Sequence, residues 1–188
     1  MSARAVFLDR DGTLTVARHY PSRPEHLTVQ EGVPSALRAL RAQGWLLVVV
    51  TNQSGLARGY FTVVDLANMH RALRENLASA GVTLDGIYHC PHHPDGIVPE
   101  LAIRCSCRKP EPGLLTTAST ELDICLDRSW MVGDFASDIE AGRRAGTRTA
   151  LVEPTRADAC QPDIVAESTS TALRMISTSG TGESIVDL

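Results

Sequence analysis

Two textures of apolar residues alternate along the chain. Continuous runs at Ala3 to Leu8, Trp45 to Val50, Trp130 to Val132 and Arg148 to Val152 have the length of strands covered on both faces. Between them, apolar residues recur at helical spacing. Val33, Leu37 and Leu40 mark one helix, which Gly44 ends. Leu66, Met69, Leu73 and Leu77 mark a longer one, capped by Thr62 and stopped by Gly81. Further helices are predicted at about 112–122 and 136–145, with a weak one at about 171–177. Gly86 to His89 reads as a short strand, and Asp163 to Val165 as one more. Strands and helices thus alternate throughout. That order predicts a Rossmann-like α/β fold, a mainly parallel sheet with helices on both faces.

In such sheets the chemistry lies beyond the carboxyl ends of the strands. The polar clusters that follow the strands are Asp9/Asp11, Thr51/Asn52 and Asp134/Asp138, and all would converge on one edge. Asp9 and Asp11, two positions apart, can face one site while Arg10 turns away. Their mutual repulsion asks for a cation. Mg²⁺ suits the position, because it takes oxygen ligands and keeps several waters, and Asp134 offers a third oxygen. Asp9 is then a candidate carboxylate nucleophile, and Asp11 a candidate acid for the leaving alkoxide. The Thr51 hydroxyl, the backbone N–H groups after it and the positive charge of Lys109 are parts that neutralise a transferring phosphoryl group. Lys109 is the only lysine in the chain. Alone, the Asp9/Asp11 pair reads equally well as a turn, and Thr51-Asn52-Gln53-Ser54-Gly55 reads better as a polar turn.

Composition narrows the field. The 188 residues are 43% apolar and 21% charged, ordinary values for one globular domain, here placed at residues 1–176. The Ser-, Thr- and Gly-rich residues 177–188 read as a mobile tail. No signal peptide or membrane-length apolar run is visible, so the expectation is a cytoplasmic protein, and a monomer. A net charge of −4 argues against nucleic acid or an anionic membrane as partner. Five cysteines, an odd number, speak against a disulfide framework. Cys90 and His92 form a C-x-H pair, and Cys105 and Cys107 a C-x-C pair, within a long structureless loop at 90–109. Three thiolates and an imidazole make a closed structural Zn²⁺ site, which would replace the core such a loop lacks. His89 and His93 are competing ligands.

Four clusters, Asp9-Arg10-Asp11-Gly12-Thr13, Thr51-Asn52, Arg108-Lys109-Pro110 and Gly133-Asp134 with Asp138, occur in this order over residues 4–152. The set resembles the haloacid dehalogenase (HAD) superfamily of phosphotransferases. The resemblance implies an Asp9 phospho-enzyme and Asp11 as general acid and then base. Thr51 and Lys109 would stabilise the phosphoryl group, and Asp9, the backbone carbonyl of Asp11, and Asp134 would hold Mg²⁺. Cys90-Pro91-His92-His93-Pro94, Cys105-Ser106-Cys107-Arg108-Lys109-Pro110 and Thr51-Asn52-Gln53-Ser54-Gly55-Leu56-Ala57-Arg58-Gly59 look like the heptose-1,7-bisphosphate 7-phosphatases. The histidinol-phosphatase type shares the scheme. This implies a capless fold with a zinc-stapled loop and a small sugar phosphate as substrate. Arg108 would bind it, with Asn52, Gln53, Ser54 and the Arg18-His19-Tyr20 loop as further contacts. The alternative is histidinol phosphate, and a weaker one is a binding module without activity. Two positions depart from the family pattern. Ala17-Arg18-His19-Tyr20 stands where Asp-His-Gly-Tyr is frequent, and Phe135 stands where a basic residue is frequent.

Overall fold

Residues 2–152 and 160–179 are described in a computed structural model. The strands β1 (Ala5–Leu8), β2 (Leu46–Asn52), β3 (Gly86–Cys90), β4 (Trp130–Gly133), β5 (Arg148–Leu151) and β6 (Ile164–Val165) form one sheet. Its order is β3-β2-β1-β4-β5-β6, and every pairing is parallel. The helices are α1 (Val33–Ala42), α2 (Val63–Ser79), α3 (Gly113–Leu122), α4 (Ala136–Ala145) and α5 (Thr169–Ser179). This is the parallel α/β sheet the sequence predicts. None of these helices is long and apolar enough to cross a membrane.

The continuous apolar runs are explained by two separate cores. Val6, Leu8, Leu47 and Val49 pack with residues of α1, α2 and α5 on one face. Ala5, Phe7, Val48 and Val50 pack with α3 and α4 on the other. Strand geometry sends successive side chains to opposite faces, so both faces of β1 and β2 need apolar residues. All eight are fully buried. Each large side chain so removed from water contributes roughly 1.5–3 kcal/mol.

The chain builds outward from β1 through β2 to β3, then returns to place β4 on the other side of β1. The connections on either side of this reversal diverge, which leaves a crevice at the carboxyl ends of β1 and β4. Leu8 pairs with Val132, so the residues after these strands, Asp9 and Asp134, open onto the same crevice.

Two boundaries differ from expectation. β2 runs on through Thr51 and Asn52, which pair with His89 and Cys90, so both are strand residues and not loop residues. The weak C-terminal helix is longer than its sequence suggested. The domain limit placed at residue 176 therefore falls inside α5, and the first residues of the expected tail are helical. Ala172, Leu173 and Ile176 bury its apolar side, and the Thr169 hydroxyl donates to the Thr13 carbonyl at 2.7 Å. Those anchors outweigh the poor helix propensity of the Ser and Thr residues around them. Residues 180–188 of the expected tail lie outside the described residues.

At the opposite end of the sheet, Trp45, Arg4, Trp130 and Arg148 stand in that order at the amino ends of β2, β1, β4 and β5. The Arg4 guanidinium lies 4.2 Å from the Trp45 ring centroid, and that of Arg148 lies 4.0 Å from the Trp130 ring. Each is a cation–π contact.

Candidate active site

Asp9 is the first residue beyond β1, and its N–H donates to the Val132 carbonyl of β4 at 3.0 Å. The chain then turns back on itself, with Thr15 N–H donating to the Arg10 carbonyl at 2.8 Å and Gly12 N–H to the Thr15 carbonyl at 2.9 Å. Gly12 allows this turn at φ +91°, and a Cβ there would lie 2.5 Å from Asp134 Oδ2. The bare backbone therefore makes a cradle for the Asp134 carboxylate. Asp9, Asp134 and Asp138 are all buried, and each offers a carboxylate oxygen within 4.8 Å of the others. Asp138 reaches the group from the first turn of α4, where it also accepts the Phe135 N–H at 3.0 Å.

Lys109 ties this cluster together. Its Nζ donates to Asp9 Oδ1 at 2.6 Å, Asp138 Oδ1 at 2.7 Å and the Val50 carbonyl at 2.8 Å. Burial works against its charge, but Asp138 and Asp9 outweigh burial and hold the ammonium protonated far up the pH scale. Burial pushes Asp9 up to about 7; Lys109 opposes that rise, and Asp138 and Asp11 add to it. A cation binding at these carboxylates would favour their ionised forms.

Asp11 is absent from this cluster; its carboxylate faces Arg10 and Gln53. Arg10 Nη2 donates to Asp11 Oδ2 at 2.8 Å, and Gln53 Nε2 donates to the same oxygen at 3.0 Å. Arg10 does not turn away as strand alternation predicted: it is fully buried and folds back onto its neighbour. Alternation requires extended backbone, and the chain has left that conformation by Asp11. Gln53 Nε2 also donates to Thr51 Oγ1 at 2.8 Å, which leaves the Thr51 O–H as a donor toward the crevice.

Cys90, His92, Cys105 and Cys107 form a second cluster, at the sheet edge. The thiol sulfurs lie 3.1, 3.3 and 3.5 Å apart, and His92 Nδ1 is 3.4 Å from Cys107 Sγ and 3.7 Å from Cys90 Sγ. A tetrahedral Zn²⁺ with Zn–S bonds of about 2.3 Å needs sulfur–sulfur edges of about 3.8 Å, so small adjustments would suffice. His93 is not part of the group; its Nδ1 accepts the Asp95 N–H at 3.1 Å, and its ring meets Arg58 Nη2 at 3.2 Å.

Two spaces meet at Lys109. A pocket of about 170 Å³ is lined by Asp9, Asp11, Thr51, Asn52, Phe135 and Asp138, among others. A wider cavity of about 540 Å³ has His93, Arg104, Arg108 and Glu111 in its wall. The first is small and carries the Asp9 carboxylate; the second is wide and carries guanidinium groups.

The HAD-hydrolase-like family profile matches residues 106–172. The D-glycero-beta-D-manno-heptose-1,7-bisphosphate 7-phosphatase of Yersinia pestis is 46% identical over 151 residues, 80% of each chain. The chain belongs to the heptose-bisphosphate phosphatase family. The enzyme of the same name from Escherichia coli K12 is 44% identical over 80% of this chain and 79% of its own. The D,D-heptose 1.7-bisphosphate phosphatase from B. bronchiseptica, solved with magnesium and phosphate, superposes with a TM-score of 0.83 at 29% identity. The match covers 94% of this chain and 99% of that one.

As a heptose-bisphosphate phosphatase family member, the chain places its expected site residues unevenly. Asp9, Thr51, Lys109 and Asp134 converge as read from sequence. Asn52 and Gln53 turn inward: Asn52 braces the main chain of Lys109, and Gln53 is buried against Asp11 and Thr51. Ser54 is buried beside them. Arg108 reaches the wide cavity, and its Nη1 donates to the His92 carbonyl at 3.3 Å. Arg18 and His19 are exposed and line neither space. Tyr20 packs edge-on between His19 and Tyr60, with ring centroids 4.5 and 4.7 Å away. The residue underrated from sequence is Asp138. It was visible as the second acid after β4, but only its place on the first turn of α4 shows that it holds Lys109.

Proposed function

We propose that this phosphatase hydrolyses the 7-phosphate of a heptose 1,7-bisphosphate through an aspartyl phosphate on Asp9. The observation that carries the chemistry is the buried Asp9–Lys109 pair at the crevice, backed by Asp138, with Asp11 beside it. The family membership carries the substrate.

In the first step, an Asp9 carboxylate oxygen attacks phosphorus and the P–O bond to the sugar breaks. The electron pair stays on the sugar oxygen, which takes the proton of Asp11. In the second step, water gives a proton to Asp11 and its oxygen attacks phosphorus. The Asp9–phosphorus bond breaks, and inorganic phosphate leaves. Lys109 and the Thr51 O–H would donate to phosphoryl oxygens as charge redistributes. Asp9, Asp134 and the Asp11 backbone carbonyl would hold Mg²⁺, and the Gly12 cradle beside Asp134 fits such a site. When bound, Mg²⁺ offsets the repulsion between the carboxylates and the incoming phosphate. Cys90, His92, Cys105 and Cys107 would hold Zn²⁺ and fix the loop that carries Arg108 and Lys109. The second phosphate would lie in the wide cavity, where a guanidinium fork such as Arg108 matches phosphate geometry. The reading includes a cytoplasmic monomer whose partner is the small substrate, not nucleic acid or membrane.

A second reading, histidinol phosphate as substrate, is favoured by one observation: Phe135 is 53% exposed and lines the small pocket, where a flat imidazole could stack. The test is phosphate release with Mg²⁺ from manno- and altro-heptose 1,7-bisphosphates, both anomers, beside histidinol phosphate. A roughly 100-fold preference in kcat/KM for one heptose bisphosphate supports the first reading. A preference for histidinol phosphate replaces it.

A further inference from the structure

The two oxygens of Asp11 are not equivalent. Oδ2 accepts three N–H groups: Arg10 Nη2 at 2.8 Å, Gln53 Nε2 at 3.0 Å and Arg10 Nε at 3.2 Å. Among the described residues, Oδ1 accepts only the shared Arg10 Nε–H, at 3.1 Å. An oxygen that accepts three donors has no lone pair left to carry a proton, while one with a single shared bond does. The orientation of the Gln53 amide is set by its neighbours. Its Oε1 accepts from Arg10 Nη2 at 2.9 Å, and its Nε2 faces two oxygens. A flipped amide would set oxygen against the Asp11 carboxylate and N–H against the guanidinium.

The expense of the arrangement also points to a purpose. Arg10 is fully buried, and Asp11 is the one carboxylate it pairs with among the described residues. Replacing a buried ion pair by well-packed apolar side chains of similar volume is often neutral or stabilising. Its Nη1 finds no partner among the described residues. Gln53, 3% exposed, spends both ends of its amide on this group. Asp11 keeps 24% of its side chain exposed, on the wall of the small pocket.

We infer that Arg10 and Gln53 are positioning residues for the general acid: they clamp Oδ2 of Asp11 and leave Oδ1 as the oxygen that exchanges the proton with the leaving group. Gln53, expected from sequence to touch substrate, acts here through Asp11 and Thr51 instead. The inference rests on Asp11 being the acid, and the test separates the two claims.

An acid matters most when the leaving group is a poor one. The phosphorylation step is therefore timed under single-turnover conditions with two substrates. Heptose 1,7-bisphosphate would release its sugar as a basic alkoxide without a proton from the acid; p-nitrophenyl phosphate releases a stable phenolate that needs none. Asp11→Asn serves as the reference and should slow the heptose ester at least about 100-fold more than the aryl ester. Gln53→Leu and Arg10→Lys should reproduce that selectivity in part, at about 10-fold or more. Arg10→Lys keeps the charge but loses the two-pronged contact. Equal losses on both esters in Gln53→Leu would overturn the positioning role, since a merely structural defect does not sense the leaving group. Absence of selectivity in Asp11→Asn would instead overturn the assignment of Asp11 as acid. If Arg10→Lys fails the circular-dichroism check for folding, Gln53→Leu decides alone.

Discussion

Asn52 and Lys109 grip each other reciprocally: Asn52 Nδ2 donates to the Lys109 carbonyl, and the Lys109 N–H donates to Asn52 Oδ1, each at 3.1 Å. The pair joins the last residue of β2 to a long loop and sets where the lysine starts its reach toward Asp9. Asn52→Ala removes both bonds and leaves two main-chain groups without their partner. We expect a stability loss of about 1–3 kcal/mol in urea denaturation. We also expect kcat to fall about 10- to 100-fold, because the ammonium loses its fixed origin. Unchanged kcat in a folded variant would show that the Asp9 and Asp138 contacts suffice to place it.

The proposed metal knot ends at Cys107, and Lys109 follows two residues later. Elemental analysis of protein purified without added metal should find one zinc per chain. Cys107→Ser should lose that zinc and lower both the melting temperature and kcat. Cys125→Ser, outside the cluster, should keep it. A zinc-free wild type with full activity would remove the metal from the scheme.

Gly12 tests the cradle beside Asp134. Gly12→Ala forces a side chain into a left-handed conformation and places its Cβ 2.5 Å from Asp134 Oδ2. The carboxylate has to move. The Mg²⁺ concentration for half-maximal activity should rise about 10- to 100-fold, as it does when groups that orient metal ligands are disturbed. A Mg²⁺ titration of activity at saturating substrate reads this directly, and an unmoved midpoint would argue against Asp134 as a ligand.

His70, on α2, gives the fold a pH dependence of its own. Burial lowers its pKa to about 3, with the charges of Arg10, His89 and Arg74 adding to the effect. An unfolded chain binds that proton near pH 6.5. Between these values the unfolded state holds more protons than the folded one. Stability from this group is therefore present above pH 6.5 and is lost as pH falls toward 3. His70→Gln should flatten the stability curve below pH 6.5, by no more than about 1.4 kcal/mol per pH unit. Some slope should remain, because burial also lowers His89. Parallel urea titrations at pH 7 and pH 4.5 decide it; identical slopes in both proteins would mean that His70 is hydrated in the fold.

The legible parts of the molecule were those set by long patterns. Runs such as Leu46–Val50 announce a strand with two covered faces, and the spacing from Leu66 to Leu77 announces α2. Motifs at strand ends announce Asp9, Thr51 and Asp134, because a parallel sheet brings those ends together. What stayed hidden was direction. Arg10 follows a strand, so alternation points it away, yet the turn at Gly12 has already broken the extended backbone. Asn52 and Gln53 are polar residues beside a site, and nothing in their identity shows whether they face substrate or brace their neighbours. Asp138 needed the helix N-terminus to place it. These are tertiary facts, fixed by which groups remain to satisfy a buried lysine and a buried arginine.

The chain has two tryptophans, Trp45 and Trp130. Both sit at the amino ends of the strands under stacked arginines, and the Asp9–Lys109 crevice lies at the carboxyl ends. Intrinsic fluorescence is thus a reporter of the sheet's floor. It will follow global unfolding through loss of the indole–guanidinium contacts, while ligand or metal arriving at the crevice leaves it unchanged. Any emission change on adding substrate would therefore register a disturbance carried along the whole length of the strands.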